Sequence, residues 1–246
     1  MKKPHNLSIT QKLVRGVRRL GREGGDTLAY INRTKKMSLA SIDYADYWHI
    51  RGLHAFQPRF QIFADAIDSG ATVLDIGCGD GSLLEYLAGT RGIRGYGVDV
   101  SEEAVRLAKT RGVDATVANI LHWDLEQKYD YIILSEVLEH LINPERVIVK
   151  VRDHFRQRLL ISIPNIGYYR HRLRLMFGRF PVQWEWHPAE HLRYWTVTDF
   201  VEWLSELGLQ VVSLQASNGL PLLFRYFPNL FGDQIVFIAN IYSKEE

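Results

Sequence analysis

The feature that most constrains this chain is a glycine-rich turn, Asp75-Ile76-Gly77-Cys78-Gly79-Asp80-Gly81, set between a strand and a helix. The apolar run Thr72–Ile76 before it is typical of a strand buried in a parallel sheet, and a helical pattern follows it. Gly77 and Gly79 allow a tight bend and a close approach of the backbone to a ligand. The helix N-terminus offers free N–H groups and a positive dipole end. The turn therefore predicts a ligand-binding α/β domain.

The acidic residue of the turn discriminates between nucleotide cofactors. Asp75 stands two residues before the first glycine, where its charge would repel the pyrophosphate of a nicotinamide dinucleotide. The Gly-x-Gly-x-x-Gly spacing of dinucleotide sites is also replaced here by Asp-x-Gly-x-Gly-x-Gly. S-adenosylmethionine (SAM) has an ammonium group that suits Asp75 and a carboxylate that suits the helix N-terminus. The pattern favours SAM, and an NAD-dependent oxidoreductase is the weakest alternative.

Strands and helices alternate after the turn, which predicts βαβ units and a parallel sheet covered on both faces. The predicted fold class is α/β, Rossmann-like. Strands are expected at Thr72–Ile76, Gly95–Val98, Ala115–Ala118, Tyr131–Leu134, Leu159–Ile163, Gln210–Leu214 and Gln234–Ala239. Helices are expected at 60–67, Gly81–Ala88, Glu102–Lys109, Pro144–Phe155 and Val197–Leu207.

The distribution of charge and the spacing of apolar residues divide the chain into an N-terminal arm and a domain. Residues 1–36 contain ten Lys/Arg against Glu23 and Asp26, a net charge of +8, whereas the whole chain carries only +2. We predict a basic N-terminal arm over 1–40, with an amphipathic helix at 9–20 followed by a linker, and a single domain over 41–246. Residues 165–190 interrupt the alternation and are predicted to form an insertion on the side of the substrate.

Several residues are placed to contact the cofactor. Asp99 ends the second predicted strand, where a carboxylate can accept hydrogen bonds from a ribose diol. The loop after the third strand is placed to hold adenine. Cys78 is interpreted as a small residue that fits the turn, because no neighbouring base would make it a nucleophile. The predicted cofactor residues are Asp75, Gly77, Cys78, Gly79, Asp99, Val100, Asn119, Ile120 and Ser135.

Residues 72–214 resemble the class I SAM-dependent methyltransferases. Val73–Gly81 resembles their first motif, Asp99 their ribose-binding acid, 129–133 their fourth-strand motif and Leu159–Pro164 their fifth. The resemblance implies SAM-dependent methyl transfer on a seven-stranded, mostly parallel sheet with helices on both faces and an antiparallel last strand. Asn119 departs from the family, which often has Asp there, but an amide can still accept from adenine.

Within that class, the chain is similar to the methionine-biosynthesis MetW family. The similarity rests on Val73–Gly81, Asn143–Val147 and Pro164–Gly167, and it weakens at Glu136–His140. MetW-like proteins are associated with a homoserine acyltransferase. The resemblance therefore implies an alternative in which the chain binds SAM and supports a biosynthetic acyltransferase as its partner.

An acidic cluster with a histidine follows the fourth predicted strand. A helical turn would project Glu136, Glu139 and His140 from one side. His140 is a candidate general base, with Glu139 and the later His191 as further catalytic candidates. Alternatively, these residues resemble the Glu-x-x-Glu-His of ubiquinone-biosynthesis and small-RNA terminal methyltransferases. That resemblance implies Mg²⁺ bound by Glu136, Glu139, His140 and His191. In a third interpretation Glu139 and His140 only orient the loop.

The sequence indicates the chemical class of the methyl acceptor but does not identify the acceptor. Arginines among aromatic side chains in 165–190 suit an anionic, partly apolar acceptor, so we expect a small molecule or a lipid- or glycan-linked one, methylated at oxygen. An RNA 2′-O-methyltransferase is an alternative, but no separate RNA-binding module is evident and nucleic acid is not an expected partner.

The expected location is the cytoplasm, with peripheral contact to a membrane. The chain has one cysteine, and we find neither a signal-peptide pattern nor an apolar run of about 20 residues. The basic amphipathic segment 9–20 and the apolar segment 220–231 are the predicted points of contact with a bilayer surface.

Overall fold

The computed structural model describes residues 26–33, 56–183 and 190–242. Contacts divide the chain into two compact units. The small unit comprises 1–36 with 169–182, and the large unit comprises 37–168 with 183–246. The amphipathic helix predicted at 9–20 lies outside the described residues.

The large unit contains a seven-stranded sheet in the order β3-β2-β1-β4-β5-β7-β6. Every neighbouring pair is parallel except those of β7, which runs antiparallel to both β5 and β6. This confirms the predicted Rossmann-like sheet and its reversed last strand. The strands are β1 (Thr72–Ile76), β2 (Arg94–Asp99), β3 (Asp114–Val117), β4 (Tyr129–Ser135), β5 (Phe155–Pro164), β6 (Leu209–Gly219) and β7 (Gly232–Ile241).

Helices connect the strands, and two of them belong to the small unit. A short 3₁₀ turn, Leu138–His140, follows β4. In chain order the helices are α1 (26–32), α2 (Pro58–Ala66), α3 (Ser82–Arg91), α4 (Glu102–Thr110), α5 (Pro144–Val151), α6 (Tyr169–Met176), α7 (Val197–Glu206), α8 (Leu223–Tyr226) and α9 (Pro228–Phe231). Of these, α1 and α6 lie in the small unit.

The sheet separates two clusters of buried apolar side chains. Successive residues of β1 alternate between them, as side chains of a strand must. Val73 belongs to the cluster that contains Phe63 of α2, and Leu74 to the cluster that contains Phe200 of α7. All four side chains are completely buried. Because both faces are covered, the central strands are continuous apolar runs, which is what made them recognisable.

The helix predicted over Pro144–Phe155 is shorter than expected. α5 ends at Val151, and Phe155 instead begins β5, where it pairs with Tyr129 of β4. Phe155 is 5% exposed, so the start of this internal strand buries an aromatic side chain that the predicted helix had included. Tertiary packing here overrides a local periodicity.

A buried asparagine joins the end of β5 to the start of β7. The Asn165 Nδ2 donates to the carbonyls of Asn229, at 3.0 Å, and Gly232, at 2.7 Å. Its Oδ1 accepts from the Gly167 N–H at 2.8 Å. Asn165 is fully buried, so its amide pairs with backbone groups in the interior and is itself satisfied there. This accounts for the asparagine of the Pro164–Gly167 motif.

The small unit corrects the prediction of a linker before residue 40, because 26–32 forms α1. The buried Arg174 of α6 donates to the carbonyls of Tyr30, at 2.7 Å, Ile31, at 2.9 Å, and Arg33, at 2.8 Å. A cation at a helix C-terminus satisfies free carbonyls and complements the dipole. α1 was missed because the arginine that stabilises its end lies more than 140 residues away. Arg174, expected near the acceptor, is engaged here instead.

The connection between β6 and β7 contains α8 and α9. Leu222, Tyr226 and Phe227 within it are 71%, 78% and 60% exposed. Contact of 220–231 with a bilayer surface stays a prediction. Among the residues that the structure describes, no helix combines the length and apolar character needed to cross a membrane.

Candidate functional site

A cavity of about 350 Å³ opens in the large unit at the carboxyl ends of β1 and β4. This is the edge of an open α/β sheet where ligands bind. The glycine-rich turn and the cluster after β4, which are separate in sequence, both line it. Its charged and imidazole side chains, among the described residues, are Arg59, Asp75, Asp80, Glu136, Glu139, His140, Glu190 and His191.

The glycine-rich turn adopts a backbone that other residues rarely take. Gly77, Gly79 and Gly81 have φ values of 74°, 55° and 75°, in the left-handed region. A Cβ on Gly77 would also lie 2.5 Å from Cγ2 of Val137. The turn is fixed to the sheet because the Gly77 N–H donates to the Val98 carbonyl at 2.7 Å. Glycine is therefore required at position 77 both for conformation and for space.

Asp75 is a buried carboxyl group on the floor of the cavity. It is 2% exposed, and its Oδ1 has no hydrogen-bond partner among the described residues. Burial, reinforced by the charge of Asp99, raises the pKa of Asp75 from 3.8 to about 8, and the opposing influence of Arg59 is smaller. An unpaired buried carboxyl oxygen is unfavourable unless a ligand satisfies it. The ammonium group of SAM has the charge and the donors to do so.

The shifted pKa of Asp75 predicts a pH-dependent stability without cofactor. The folded protein keeps this proton up to about pH 8, whereas the unfolded chain releases it near pH 4. Folding therefore takes up a proton between these values, and stability falls as the pH rises through this window. Asp75→Asn should flatten this decline and melt several degrees above the unsubstituted protein at pH 8. Thermal melts at pH 5 and pH 8 test this, and equal slopes for both proteins would contradict it.

Asp99, the last residue of β2, stabilises the glycine-rich turn through hydrogen bonds to the backbone. Its Oδ2 accepts from the Gly79 N–H and its Oδ1 from the Ser101 N–H, both at 2.9 Å. Burial raises the pKa of Asp99, and these backbone hydrogen bonds oppose that shift. Each oxygen retains acceptor capacity, so the predicted contact with a ribose diol stays a prediction.

The other residues predicted to contact the nucleoside of SAM lie at the carboxyl ends of β2 and β3. Val100 is 57% exposed, and Asn119 is exposed, with its Oδ1 accepting from the Leu121 N–H at 3.0 Å. Ile120 is buried in the core. Neither these three nor Asp99 belongs to the described lining of the cavity. Their roles toward adenine and ribose stay predictions.

Cys78 fills a space that the neighbouring strand leaves for it. A Cβ on Gly97 of β2 would lie 2.6 Å from the Cys78 Sγ, so Gly97 makes room for the thiol. Burial and the nearby carboxylates, Asp75 foremost, raise the pKa of the Cys78 thiol. A thiol that resists ionisation is a poor nucleophile. The structure supports the interpretation of Cys78 as a small residue that fits the turn.

Glu139, His140 and His191 come together, although His191 lies some fifty residues later in the chain. Each offers one ligand atom, and these atoms all lie within 4.8 Å of one another. Glu139 is 1% exposed, and neither carboxyl oxygen has a hydrogen-bond partner among the described residues. Burial, and then the charge of Glu136, raise the pKa of Glu139. The cluster therefore contains a buried acidic group whose charge Arg59 offsets only in part.

The two histidines of the cluster differ in their surroundings. The His140 Nδ1 lies 2.5 Å from the Glu190 carbonyl, which can only accept, so this nitrogen carries the proton. The His140 Nε2 is therefore the acceptor nitrogen when the ring is neutral, and it lies 3.8 Å from the Glu139 Oε1. Burial, assisted by His140, lowers the pKa of His191 to about 3. His191 is thus a neutral imidazole at ordinary pH.

Glu136 does not join this group, because the predicted helical turn does not include it. Its φ of 58° takes the backbone out of the helical region, and only Leu138–His140 forms a turn. The Glu136 Oε1 accepts from the Ser162 hydroxyl at 2.8 Å, and its N–H donates to the Ser162 carbonyl at 3.1 Å. The expectation that Glu136, Glu139 and His140 project from one helical side is wrong for Glu136.

Arg59 is a site residue that sequence analysis missed. It lies in the first turn of α2, and its Nε donates to the Ser135 Oγ at 3.0 Å. Ser135 in turn shares a hydrogen bond with Ser162 at 3.2 Å. Ser135 lines the cavity, as predicted for a cofactor residue. One signal was available: a cation in the first turn of a helix opposes the dipole, which indicates another role for that residue.

Two curated relatives resemble this chain over part of its length. A bifunctional methionine biosynthesis protein MetXA/MetW of Rhodopirellula baltica is 26% identical over 166 residues, which are 60% of this chain and 26% of that protein. A ubiquinone biosynthesis O-methyltransferase of Coxiella burnetii is 35% identical over 116 residues, 42% of this chain and 49% of that enzyme. The chain thus spans half or less of the length of these relatives.

A solved structure supports the fold, and a family model supports the family. The 1,6-didemethyltoxoflavin-N1-methyltransferase of Burkholderia thailandensis aligns with a TM-score of 0.57 at 19% identity, covering 99% of this chain and 94% of that one. Similarity at this level shows a shared SAM-dependent methyltransferase fold. The model of the methionine biosynthesis protein MetW matches residues 57–239, from the start of α2 almost to the end of β7. This match covers well over half of the sequence and includes every element that lines the cavity, so the chain belongs to the MetW family.

Proposed function

We propose that this protein transfers the methyl group of SAM to a hydroxyl oxygen of an uncharged acceptor. The observation that carries this proposal is a shared cavity. The glycine-rich turn with Asp75 and the cluster of Glu139, His140 and His191 line the same space, so a bound cofactor and a proton acceptor would lie side by side. Positioning of two reactants accounts for much of the rate acceleration in such reactions.

The residues of the turn fit the methionine half of SAM. Asp75 would pair with the ammonium group, and the N-terminus of α3 would receive the carboxylate. Asp99 would accept from the ribose, and Asn119 with Ile120 would border the adenine. When bound, SAM supplies a methyl group already activated by its sulfonium. What remains for the protein is to align the acceptor and to remove its proton.

His140 is the proposed base. Its Nδ1 donates to the Glu190 carbonyl, so in the neutral ring the Nε2 is the nitrogen that can accept the proton of the acceptor hydroxyl. The imidazolium that results would lie beside the Glu139 carboxyl group, 3.8 Å away, and be stabilised by its negative charge. His191 stays neutral and can accept a hydrogen bond that orients the acceptor.

The charge of the cavity favours an uncharged acceptor over an anionic one. Asp80 is paired with Arg111 at 2.9 Å, and Arg59 is the one lysine or arginine in the described lining, against Asp75, Glu136, Glu139 and Glu190. Burial first, and then the neighbouring carboxylates Asp99 and Glu136, raise the pKa values of Asp75 and Glu139, and Arg59 offsets only part of these shifts. A phosphate inside the cavity would be repelled, whereas a sugar or phenol hydroxyl could donate to the carboxylates. A lipid- or glycan-linked acceptor fits if its phosphate stays outside.

A metal ion is an alternative use of the same cluster. Two imidazoles and one carboxylate form a donor set that suits a transition-metal ion, whereas Mg²⁺ prefers oxygen ligands. Glu139, His140 and His191 would hold such an ion, and Glu136, engaged by Ser162, would remain outside the group. The ion would polarise the acceptor hydroxyl.

Turnover of SAM with defined acceptors tests the proposal. The protein is incubated with SAM and matched sugars and phenols, each with and without a phosphate, and methyl ethers are sought by mass spectrometry. We expect methylation of the uncharged members, with the same rate in a chelator. Loss of activity in chelator would favour the metal, and methylation only of phosphorylated acceptors would contradict the proposed acceptor class.

A second candidate is a non-catalytic partner of an acyltransferase. The Rhodopirellula relative combines MetXA and MetW in one polypeptide, so the two activities or functions can be physically linked. In that case SAM binding would matter and the acid–imidazole cluster would not. Retention of the partner's activity after substitution of His140 and Glu139 would favour this candidate.

A further inference from the structure

The C-terminal end of α6 in the small unit presents apolar side chains on a rigid turn. Gly178 has a φ of 70°, the Arg179 N–H donates to the Arg174 carbonyl at 3.0 Å, and the Gly178 N–H donates to the Leu175 carbonyl at 2.9 Å. This pair of hydrogen bonds is the Schellman motif that ends helices. The backbone that carries the side chains between these residues is therefore held in place.

Large apolar side chains on this turn and directly after it are exposed. Leu175, Met176, Phe177 and Phe180 are 50%, 79%, 66% and 55% exposed. We call these four residues the apolar tip. Isolated exposed apolar side chains are common, but a group of four within six residues is typical of a surface that contacts a membrane or another protein.

Charge around the apolar tip distinguishes between these two kinds of partner. Residues 165–183 contain four arginines and no aspartate or glutamate. Arg174 is buried at the end of α1, whereas Arg172 and Arg179 are exposed beside the tip. The positive charge of these arginines is complementary to an anionic surface, and phenylalanine flanked by arginine is typical of segments that bind at the bilayer interface.

We infer that the apolar tip binds the surface of an anionic lipid bilayer. Met176 and Phe177 enter the boundary between headgroups and acyl chains, and Arg172 and Arg179 contact lipid phosphates. This surface is distinct from the segments 9–20 and 220–231, and the inference is independent of the methyltransferase proposal. A protein bound in this way would meet acceptors that are anchored in a membrane.

Co-sedimentation of the full chain with vesicles tests this inference. Vesicles of phosphatidylcholine alone are compared with vesicles that also contain phosphatidylglycerol. We expect binding to the anionic vesicles only. Met176→Ser with Phe177→Ser should weaken this binding about tenfold or more, since two apolar side chains lose their burial. Arg172→Gln with Arg179→Gln should weaken it roughly fivefold for each arginine removed.

Ile142→Ser provides a matched control, because Ile142 is an exposed apolar residue of the large unit, at 71%. This variant should bind vesicles like the unsubstituted protein, and all variants should keep their melting temperature. The inference is overturned if the tip variant sediments like the unsubstituted protein or if Ile142→Ser weakens binding equally. It is also overturned if the tip substitutions instead dissociate a dimer in light scattering, which would make the tip an interface between copies.

Discussion

Glu139→Gln is expected to lower the rate of methyl transfer by about 10²–10³-fold while leaving the affinity for SAM nearly unchanged. Glutamine keeps the size of the side chain but cannot carry the negative charge that stabilises a protonated His140. Because the Glu139 carboxyl group is buried and has no hydrogen-bond partner among the described residues, the amide also meets no new partner there. Steady-state kinetics with calorimetric titration of SAM separates the two effects.

Glu136→Gln is the control for this substitution. Glu136 lines the same cavity, but its carboxylate accepts from the Ser162 hydroxyl, and a glutamine oxygen can do the same. We expect a loss of activity of less than about tenfold. Equal losses in both variants would show that the rate depends on the total negative charge of the cavity and not on Glu139 in particular. An unchanged rate in Glu139→Gln would contradict the proposed acid–base role of the cluster.

Gly77→Ala is expected to reduce the affinity for SAM and its demethylated product by roughly 100-fold or more. The methyl group would lie 2.5 Å from the Val137 Cγ2, and a φ of 74° adds strain of about 1–2 kcal/mol. The turn must move to relieve the clash, and with it the backbone that approaches the cofactor. Calorimetric titration measures the affinity, and thermal melts measure the accompanying loss of stability.

Gly70→Ala isolates the backbone strain from the clash. Gly70 has nearly the same φ, 76°, but nothing lies within 4 Å of a Cβ built on it. This variant should lose about 1–2 kcal/mol of stability and bind the cofactor normally. Adding Val137→Ala to Gly77→Ala removes the clashing methyl group and should restore part of the affinity. Normal binding by Gly77→Ala alone would contradict the role given to the turn.

The sheet and the cofactor turn were predictable because their signals are local. Buried parallel strands are apolar throughout, so Thr72–Ile76 and Leu159–Ile163 were recognised, and the spacing of Asp75, Gly77 and Gly79 identified the turn. Glu139, His140 and His191 were also identified in advance, since they follow a strand end or match a known pattern. The structure adds that these three side chains lie together.

Other features depend on residues that are distant in sequence. α1 forms where a linker was expected, because Arg174 satisfies its last carbonyls. Glu136 does not belong to the cluster of Glu139, His140 and His191, because its backbone is left-handed and its carboxylate accepts from the Ser162 hydroxyl. The expectation of an anionic acceptor depended on the composition of 165–190, whereas the proposal of an uncharged one depends on how the fold combines charged residues in the described lining of the cavity. No local periodicity carries this information.

The most direct test is calorimetric titration of S-adenosylhomocysteine, SAM and NAD into the full chain and into Asp75→Asn. If a SAM site is built on the turn after β1, both sulfur nucleosides bind the unsubstituted protein, NAD does not, and the substitution weakens binding by an order of magnitude or more. Binding of NAD with no heat from either sulfur nucleoside would contradict the assignment of this turn as a SAM site, on which the proposed methyl transfer depends.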